Sequence, residues 1–198
     1  MKKRYYENVI NTIEKSINSI NESDYEELIN QCEKVIKNNG HIIASGLGKN
    51  VPICDKFVGT MTSLSLPAIF LHTNTAMHGD LGYVSDNDLL IIITKSGNTT
   101  ESVDLAKYVK QTRKTKIWLL TMGMNTDVEK YADNTLHIDM DHEGDEWNLV
   151  PNNSTSIFLI LLQGVAIELA KRLDVSLQQF KTNHPGGAIG RSMKWKTN

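Results

Sequence analysis

The chain has little cysteine, little proline and almost no charge imbalance. Its 198 residues contain two cysteines and four prolines, and the formal net charge is −2 at pH 7. Cys32 and Cys54 do not belong to a Cys-x-x-Cys pair, so we expect two small buried hydrophobic side chains in a reducing cytoplasm. The near-neutral charge gives no reason to expect a nucleic acid or a membrane surface as a partner.

Long apolar runs and an export signal are also lacking. No stretch is expected to approach the roughly 20 apolar residues that span a bilayer. The basic start, MKKRYYENVINTIEK, has no apolar signal core, so no export signal is expected. The most apolar segment, 153–173, contains Gln163 and Glu168, and we interpret it as a buried helix. We therefore expect a cytoplasmic protein with one compact domain over residues 1–198.

What the chain does contain is an alternation of short apolar runs and helical patterns. Apolar residues at three-to-four spacing predict a helix over the first 20 residues, and Ser23 or Asp24 can cap a second helix to about residue 38. Strands are predicted at 41–45, 67–72, 88–94, 116–121 and 134–140, and further helices at about 51–65, 99–112, 126–132 and 153–173. The alternation predicts an α/β fold, with a parallel sheet covered by helices on both sides.

In open parallel sheets, ligands bind beyond the carboxyl ends of the strands, so the segments that follow the predicted strands form the candidate site. SGLGKNV (45–51) follows the first strand as a glycine turn that presents Lys49. A dinucleotide fingerprint would need a third glycine, and a P-loop would need a glycine where Ile43 stands. Lys49 is therefore either a ligand contact or a solvated surface lysine.

The third strand is followed by TKSGNTTE (94–101), the most informative of these segments. Ser96, Thr99 and Thr100 lie where a helix should start. The unpaired N–H groups of a helix start, together with the helix dipole, form an anion site to which hydroxyls add donors. One capping residue would satisfy an ordinary helix start, and four hydroxyls around Gly97 exceed that need. This segment therefore predicts a phosphate site, with Lys95 as the only nearby cation.

Three further segments carry candidate acid–base groups. His78 in HGD (78–80) either lies beside a carboxylate or is a satisfied loop histidine. The loop after the fifth strand, DHEGDEWNLVPNNSTS (141–156), contains four acids, one of which could serve as a base, but their spacing does not say which. In NHPGGAIG (183–190), the proline and glycines make a turn that can present His184.

Five of these motifs together resemble a known family. GLGK, HGDLG, SGNTTE, PNNSTS and NHPGG occur in the order and spacing of sugar isomerase (SIS) domains, and the chain resembles the arabinose 5-phosphate isomerase group over about residues 25–191. The resemblance implies a three-layer α/β/α sandwich with a five-stranded parallel sheet. Residues 1–38 would be extra N-terminal helices and 39–191 the phosphosugar-binding core. The chain looks like the short form of the group, without CBS domains.

The resemblance also implies the residues of the site. The positions that match the catalytic ones are Lys49, His78, Glu101, Glu143 and His184. The positions that match the phosphate-binding ones are Thr94, Lys95, Ser96, Gly97, Thr99, Ser154 and Thr155. The substrate-binding loop would contain Gly46, Gly48 and Asn50. No metal or other cofactor is expected, and the family implies a homodimer or homotetramer whose subunits share active sites.

The expected activity is aldose–ketose isomerisation, between D-ribulose 5-phosphate and D-arabinose 5-phosphate, through an enediol. Such chemistry needs a base near two carbons and donors for the developing oxyanion. We expect Glu143 to be the carbon base, with a pKa raised by burial. Lys49 would stabilise the oxyanion, and His184 of a neighbouring subunit would move protons during ring opening. Glu101 and His78 would orient these groups or share the proton transfer.

The chain departs from the family pattern at the sugar end of the site. Asn50 replaces the usual serine, and Asn98 lies where a glutamate is frequent. Trp147 and Asn148 stand in place of a small, threonine-containing segment, which leaves the identity of the sugar open. Glu146 is a nearby rival of Glu143 for the role of base.

Three alternatives remain at this point. The same groups could act on another sugar phosphate, or the chain could be a non-catalytic phosphosugar sensor. A metal-assisted heptose-phosphate isomerase is a third possibility, but the six histidines show no tight ligand spacing.

Overall fold

The computed structural model describes residues 2–192, and the side chains of residues 3–191. Met1 and residues 193–198, the ends of the expected single domain, lie outside the described residues. The strands are β1 (Ile42–Gly46), β2 (Ala68–His72), β3 (Leu89–Ile93), β4 (Lys116–Thr121) and β5 (Asn134–His137). The helices are α1 (Lys2–Asn18), α2 (Glu22–Lys37), α3 (Val51–Ser63), α4 (Thr73–Ala76), α5 (Thr100–Thr112), α6 (Asn153–Arg172), α7 (Leu177–Thr182) and α8 (Gly187–Ser192).

The strands form one parallel sheet in the order β2-β1-β3-β4-β5. Every residue of β1 and β3 is buried, because helices cover both faces of the sheet. This explains why these segments are continuous runs of leucine and isoleucine, or of small residues, rather than alternating patterns. The predicted α/β fold with a five-stranded parallel sheet is confirmed.

Successive strand residues point to opposite faces of the sheet and contribute to two separate cores. Leu89, Ile91 and Ile93 of β3 belong to the core under α2, α3 and α6. Leu90 and Ile92 belong to the core under α5. These two layers of helices, with the sheet between them, are the three layers of the expected sandwich.

Helix α6 lies in the larger core and is both long and apolar. By length and composition alone, it could cross a membrane, so the expectation that no stretch approaches this length does not hold. Half of its apolar window is buried in the fold, where it packs against α1, α2 and α3. Tyr25 of α2 fixes the contact by donating its hydroxyl to the carbonyl oxygen of Leu161, at 2.9 Å.

The segment 126–132 is not the helix that its pattern predicts, and this prediction is wrong. The chain makes only a turn there. Thr126 donates both its N–H and its hydroxyl to the Glu129 carboxylate, at 3.1 and 2.9 Å, and Val128 donates its N–H to the carbonyl oxygen of Gly97. The segment therefore folds back onto the loop after β3. The last predicted strand is also shorter, ending at His137 rather than at residue 140.

The strand order changes direction at β1, which lies between β2 and β3. Gly46 is in register with Ile93, so the loops that follow β1 and β3 leave the sheet side by side. Asn50 joins them by donating from its side chain to the carbonyl oxygen of Ile93, at 3.3 Å. In open parallel sheets, ligands bind at such a change of direction.

Candidate active site

The loop after β3 is held in a fixed shape by the loop after β4. The carbonyl oxygen of Lys95 accepts the N–H of Met122, at 3.1 Å, and that of Gly97 accepts the N–H of Val128, at 3.1 Å. Gly97 has a φ of 66°, and an added Cβ would lie 2.4 Å from the Thr126 hydroxyl oxygen. Only glycine fits this position, because other residues would meet both backbone strain and a steric clash.

The predicted phosphate site begins at the start of α5, whose N-cap residue is Thr99. Within the described chain, the Thr99 side chain makes no capping hydrogen bond. Its Oγ1 lies instead 3.3 Å from Oγ1 of Thr94, and the Ser96 hydroxyl accepts the N–H of Asn98, at 3.2 Å. Ordinary capping by Thr99 therefore does not account for the hydroxyls. The N-terminus of a thirteen-residue helix faces this loop and favours an anion.

Lys49 lies on the neighbouring loop, after β1. Gly48, Lys49 and Asn50 form a 3₁₀ turn, in which Gly48 has a φ of 60°. Lys49 is exposed, and its side chain has no hydrogen-bond or ion-pair partner among residues 3–191. Its ammonium group is therefore available to a ligand at the carboxyl edge of the sheet, the side at which the parallel strands end.

Glu143 is a fully buried carboxylate in the loop between β5 and α6. Its Oε1 accepts hydrogen bonds from Lys95 Nζ, at 2.8 Å, and from the Ser154 hydroxyl, at 2.7 Å. Its Oε2 accepts the backbone N–H groups of Asn152 and Ser154, both at 3.0 Å. The carboxylate thus caps the start of α6 and joins it to the predicted phosphate loop through Lys95.

The expectation that burial raises the pKa of Glu143 is wrong for this arrangement. Desolvation is the largest single influence and does act to raise that pKa. The hydrogen bonds from Lys95, Ser154 and Asn152 stabilise the charged form, and together they outweigh desolvation. The pKa of Glu143 therefore lies below its ordinary value, and the carboxylate is ionised at neutral pH.

The loop from residue 144 to residue 151 holds Glu143 from its other side. Asp145 accepts the N–H groups of Trp147, Leu149 and Val150, which folds the loop into a compact turn. Asn148 has a φ of 56°, and its side-chain oxygen accepts the N–H of Glu143 at 2.7 Å.

Asn148 and Asn152 therefore fix the position of Glu143, a role that the sequence motifs did not reveal. The signal available in the sequence is the run of asparagines around residue 152, a residue type that tolerates left-handed backbone and bonds to nearby amides. Glu146, the rival base, is exposed on the same loop.

Ser154 and Thr155, which the resemblance assigns to the phosphate site, are engaged elsewhere. The Ser154 hydroxyl donates to Glu143, and Thr155 donates its hydroxyl to the carbonyl oxygen of Asn152 at 3.0 Å. Both hydroxyl protons are therefore used within the start of α6 and its preceding loop.

His78 and Glu101 lie together on the side of the site nearest β2. Both side chains are exposed. They line one cavity of about 500 Å³, whose walls are Thr73, Asn74, Thr75, Met77, His78, Glu101 and Asp104. The structure thus brings two of the five predicted catalytic residues to one cavity.

His184 does not join the other candidate residues within one chain. Its Nδ1 lies 2.7 Å from the carbonyl oxygen of Phe180, and its ring stacks on Phe180 with a centroid distance of 4.0 Å. The adjacent Asn183 donates to the carbonyl oxygen of Ser63 and to the hydroxyl of Ser65. Those serines lie at the end of α3, just before β2 begins. His184 therefore lies toward the amino edge of the sheet, the side at which the parallel strands begin.

No group of three or more histidine, cysteine, aspartate or glutamate side chains with the geometry of a metal site occurs in the part of the chain that the structure describes. Cys32 and Cys54 are buried free thiols, as predicted, and burial raises the pKa of both. Neither thiol is suited to nucleophilic chemistry at neutral pH.

These features agree with the result of comparison with known proteins. The SIS domain model matches residues 35–171, so the chain belongs to the SIS domain family. It is 35% identical to the arabinose 5-phosphate isomerase KdsD of Francisella tularensis over 187 residues, which are 93% of this chain and 56% of that protein. It is 32% identical to the arabinose 5-phosphate isomerase KpsF of Escherichia coli, covering 88% of this chain and 54% of the relative. The chain thus spans about half the length of these curated relatives.

A solved structure covers the same extent as the described fold. The structure of c3406 from Escherichia coli CFT073, in complex with arabinose 5-phosphate, matches with a TM-score of 0.85 and 27% identity. The match covers 92% of this chain and 95% of that one.

Proposed function

We propose that the chain is an aldose–ketose isomerase that interconverts D-ribulose 5-phosphate and D-arabinose 5-phosphate through an enediol. The observation that carries the proposal is the set of three groups at the carboxyl edge of the sheet. There, within residues 3–191, a helix start without a side-chain cap, a lysine without a partner and a buried ionised glutamate occur on loops of the same edge. An anion site beside acid–base groups is what a phosphosugar isomerase needs. The names of the similar proteins and the arabinose 5-phosphate bound to c3406 support the choice of substrate.

In this proposal the phosphate group anchors the substrate on Ser96, Thr99 and the first turn of α5. The anchor lies away from the reacting carbons, so its binding energy can position C1 and C2 against the base. We therefore expect arabinose without a phosphate to react very poorly. Equal turnover of arabinose and arabinose 5-phosphate would contradict this role.

The chemistry uses the Glu143 carboxyl group twice. Glu143 takes the proton from the carbon beside the carbonyl, and the electron pair of that bond forms the carbon–carbon double bond of the enediol. The carbonyl oxygen gains the negative charge, which Lys49 stabilises. The carboxyl proton exchanges with solvent, and Glu143 then delivers a proton to the other carbon, while His78 and Glu101 share in moving the hydroxyl protons. The roles of all four residues are proposals that rest on their family resemblance and on their placement.

We also propose that the protein works as a homodimer or homotetramer with shared sites. The support is the position of His184, which lies toward the amino edge in its own chain, whereas Lys49 follows β1 at the carboxyl edge. His184 of a second copy would then move the proton that opens the sugar ring.

The test is a panel of pentose and hexose phosphates incubated with the protein in deuterated water. We expect arabinose 5-phosphate to exchange its C2 proton for deuterium as ribulose 5-phosphate forms, followed by proton NMR. Binding of sugar phosphates without any exchange at carbon would support a non-catalytic sensor instead. Exchange with a different sugar would keep the chemistry and change the substrate, an alternative favoured by the unusual Trp147 loop.

A further inference from the structure

We propose that Lys95 is a positioning residue that switches Glu143 between a resting and a reactive state. In the free protein, Lys95 holds the buried carboxylate. When a phosphate group binds to the loop that contains Lys95, the Lys95 ammonium group turns to the phosphate. One lone pair of the Glu143 carboxylate then becomes free. This inference rests on the proposed function, because it gives Glu143 the role of base.

The Glu143 carboxylate is saturated with hydrogen-bond donors. A carboxylate offers about four lone-pair positions to such donors. Lys95 and the Ser154 hydroxyl fill the two positions of Oε1, and two backbone N–H groups fill those of Oε2. A general base needs a free lone pair to receive the proton of its substrate. Glu143 must therefore lose one of these four partners before it can act.

Lys95 is the partner that can leave. Two of the other donors are backbone N–H groups at the start of α6, and the third is the hydroxyl of Ser154, which is buried. Lys95 is different, because 41% of its side chain is exposed and its charge sits on a flexible stem. Its backbone is fixed by the bond from Met122, so the side chain can move without moving the loop.

A bound phosphate group would draw Lys95 away from the carboxylate. Lys95 directly precedes Ser96, whose hydroxyl belongs to the predicted phosphate site. A sugar phosphate carries a charge of about −1.5 to −2 at neutral pH, by analogy with phosphorylated side chains, whereas the carboxylate carries one negative charge. The bound phosphate is therefore the stronger competitor for the cation of its own loop.

Apart from Glu146, which is exposed and has no side-chain partner among residues 3–191, the ionisable groups on the loop of Glu143 are engaged elsewhere. On the same loop, Asp141 pairs with Lys15 of α1, His142 accepts the N–H of Gly144, and Asp145 accepts N–H groups of its own turn. In the described chain, the first turn of α6 carries no acidic side chain. Among residues 3–191, none of these groups shares a hydrogen bond with the Glu143 carboxylate.

The decisive experiment follows the Glu143 carboxyl by ¹³C NMR across pH, with the signal assigned from Glu143→Gln. In the wild-type protein, we expect saturating inorganic phosphate to raise the titration midpoint by about one pH unit or more, a tenfold change in proton affinity. In Lys95→Met the midpoint without phosphate should already lie above that of the wild type, and phosphate should raise it much less than in the wild type. Lys130→Met, which removes an exposed pair with Asp127 on a neighbouring loop, is the matched control and should behave as the wild type. A wild-type midpoint that phosphate leaves unchanged, or an equal shift in Lys95→Met, overturns the inference.

Kinetics give a second readout that a merely structural role would not produce. The pH profile of kcat/KM reports the free enzyme, and that of kcat reports the substrate complex. In the wild type, the acid limb of kcat should lie at higher pH than that of kcat/KM. In Lys95→Met the kcat/KM limb should rise by about one unit to meet a kcat limb that stays in place, whereas Lys95→Arg should keep the two limbs apart. The substrate phosphate titrates in the same way for every variant, so its contribution cancels when the pH profiles of the variants and the wild type are compared.

Two kinetic outcomes would contradict the switch. If both limbs shift together, Lys95 stays on Glu143 throughout the reaction. If neither shifts and only KM rises, Lys95 is a phosphate contact without influence on the base. Failure of the proposed function is distinguishable, because a wild-type protein that isomerises no sugar phosphate would still give a Glu143 titration with and without inorganic phosphate.

Discussion

The two edges of the sheet are both rich in polar side chains, but these side chains do different work. The amino edge has the larger cavity, about 660 Å³, beside the loop that precedes β3. Its acids are used within the fold. Asp88 accepts the N–H groups of His41 and Ser85, at 2.8 and 2.7 Å, and Asp133 pairs with two lysines and accepts the N–H of Ile117.

At the carboxyl edge a smaller cavity, of about 500 Å³, is lined by two residues of the proposed chemistry, His78 and Glu101. Lys49 and Glu101 have side chains without a partner among residues 3–191, and there Thr99 leaves the start of α5 without a side-chain cap. Cavity volume is therefore a poor guide to function in this fold. The unpaired groups of the carboxyl edge are available to a ligand, whereas Glu143, the proposed base, is fully paired in the free protein.

The largest difference between the two edges is expected from a pair of carboxylate substitutions. Glu143→Gln removes the proposed base and should lower kcat by about 10²–10⁴-fold. Asp133→Asn, at the amino edge, should leave kcat within about twofold, since it lies at the opposite edge of the sheet from the site. Steady-state rates with arabinose 5-phosphate check both. A large loss of kcat in Asp133→Asn, with the fold intact by circular dichroism, would remove the distinction between the edges.

A smaller effect is expected from alanine at Gly97. The added Cβ would meet Thr126 and force a left-handed backbone, so Gly97→Ala should lower the free energy of unfolding by about 2–4 kcal/mol. Phosphate binding should weaken with it, because the loop loses its shape. Gly59→Ala is the control. Gly59 lies within α3, and apart from its chain neighbours and the backbone of its own helix no described atom lies within 4 Å of an added Cβ, so that variant should be as stable as the wild type or more so. Chemical denaturation and phosphate titration measure both, and equal stabilities of the two variants would refute the steric argument.

The smallest effect is the pH dependence of the amino-edge acid. Desolvation is the largest influence on Asp133 and raises its pKa, but hydrogen bonds from Lys110, Ile117 and Lys116 outweigh it and lower the pKa below the ordinary value. A lowered folded-state pKa stabilises the fold above the unfolded-state value, and that stability is lost as pH falls through the folded-state value. Asp133→Asn should therefore be about 1–3 kcal/mol less stable at pH 7. The difference should shrink below about pH 4. Urea melts across pH test this, and a difference that grows on acidification would contradict the sign.

The sequence was sufficient for the parts of the fold that depend on local patterns. The apolar run at 88–94 contains β3 (Leu89–Ile93), because a strand buried on both faces is continuously apolar, and the helix predicted at 99–112 is α5 (Thr100–Thr112), because one of its faces is buried. The failure at 126–132 has the opposite cause. Val128 donates its N–H to the carbonyl oxygen of Gly97 and Asp127 donates its N–H to the side chain of Asn98, contacts with a separate loop that no local pattern records.

The candidate site divides in the same way. The hydroxyl cluster at 94–101 could be recognised as an anion site because all its parts are adjacent in sequence. The lowered pKa of Glu143 could not be predicted from the sequence. The direction of its shift depends on a lysine 48 positions earlier and on backbone N–H groups at the start of α6. The position of His184 likewise depends on where Asn183 docks, on serines more than a hundred residues away.

The loop folded around Asp145 has an outer face that is exposed and an inner face that contacts Glu143. Outward it presents Trp147, of which 71% is exposed. Inward it supplies Asn148, which holds the backbone of Glu143. Substitutions that reshape the outer face to suit a different sugar will also disturb the support of the proposed base. Under the proposed function, substrate preference and catalytic power would therefore not change independently of each other.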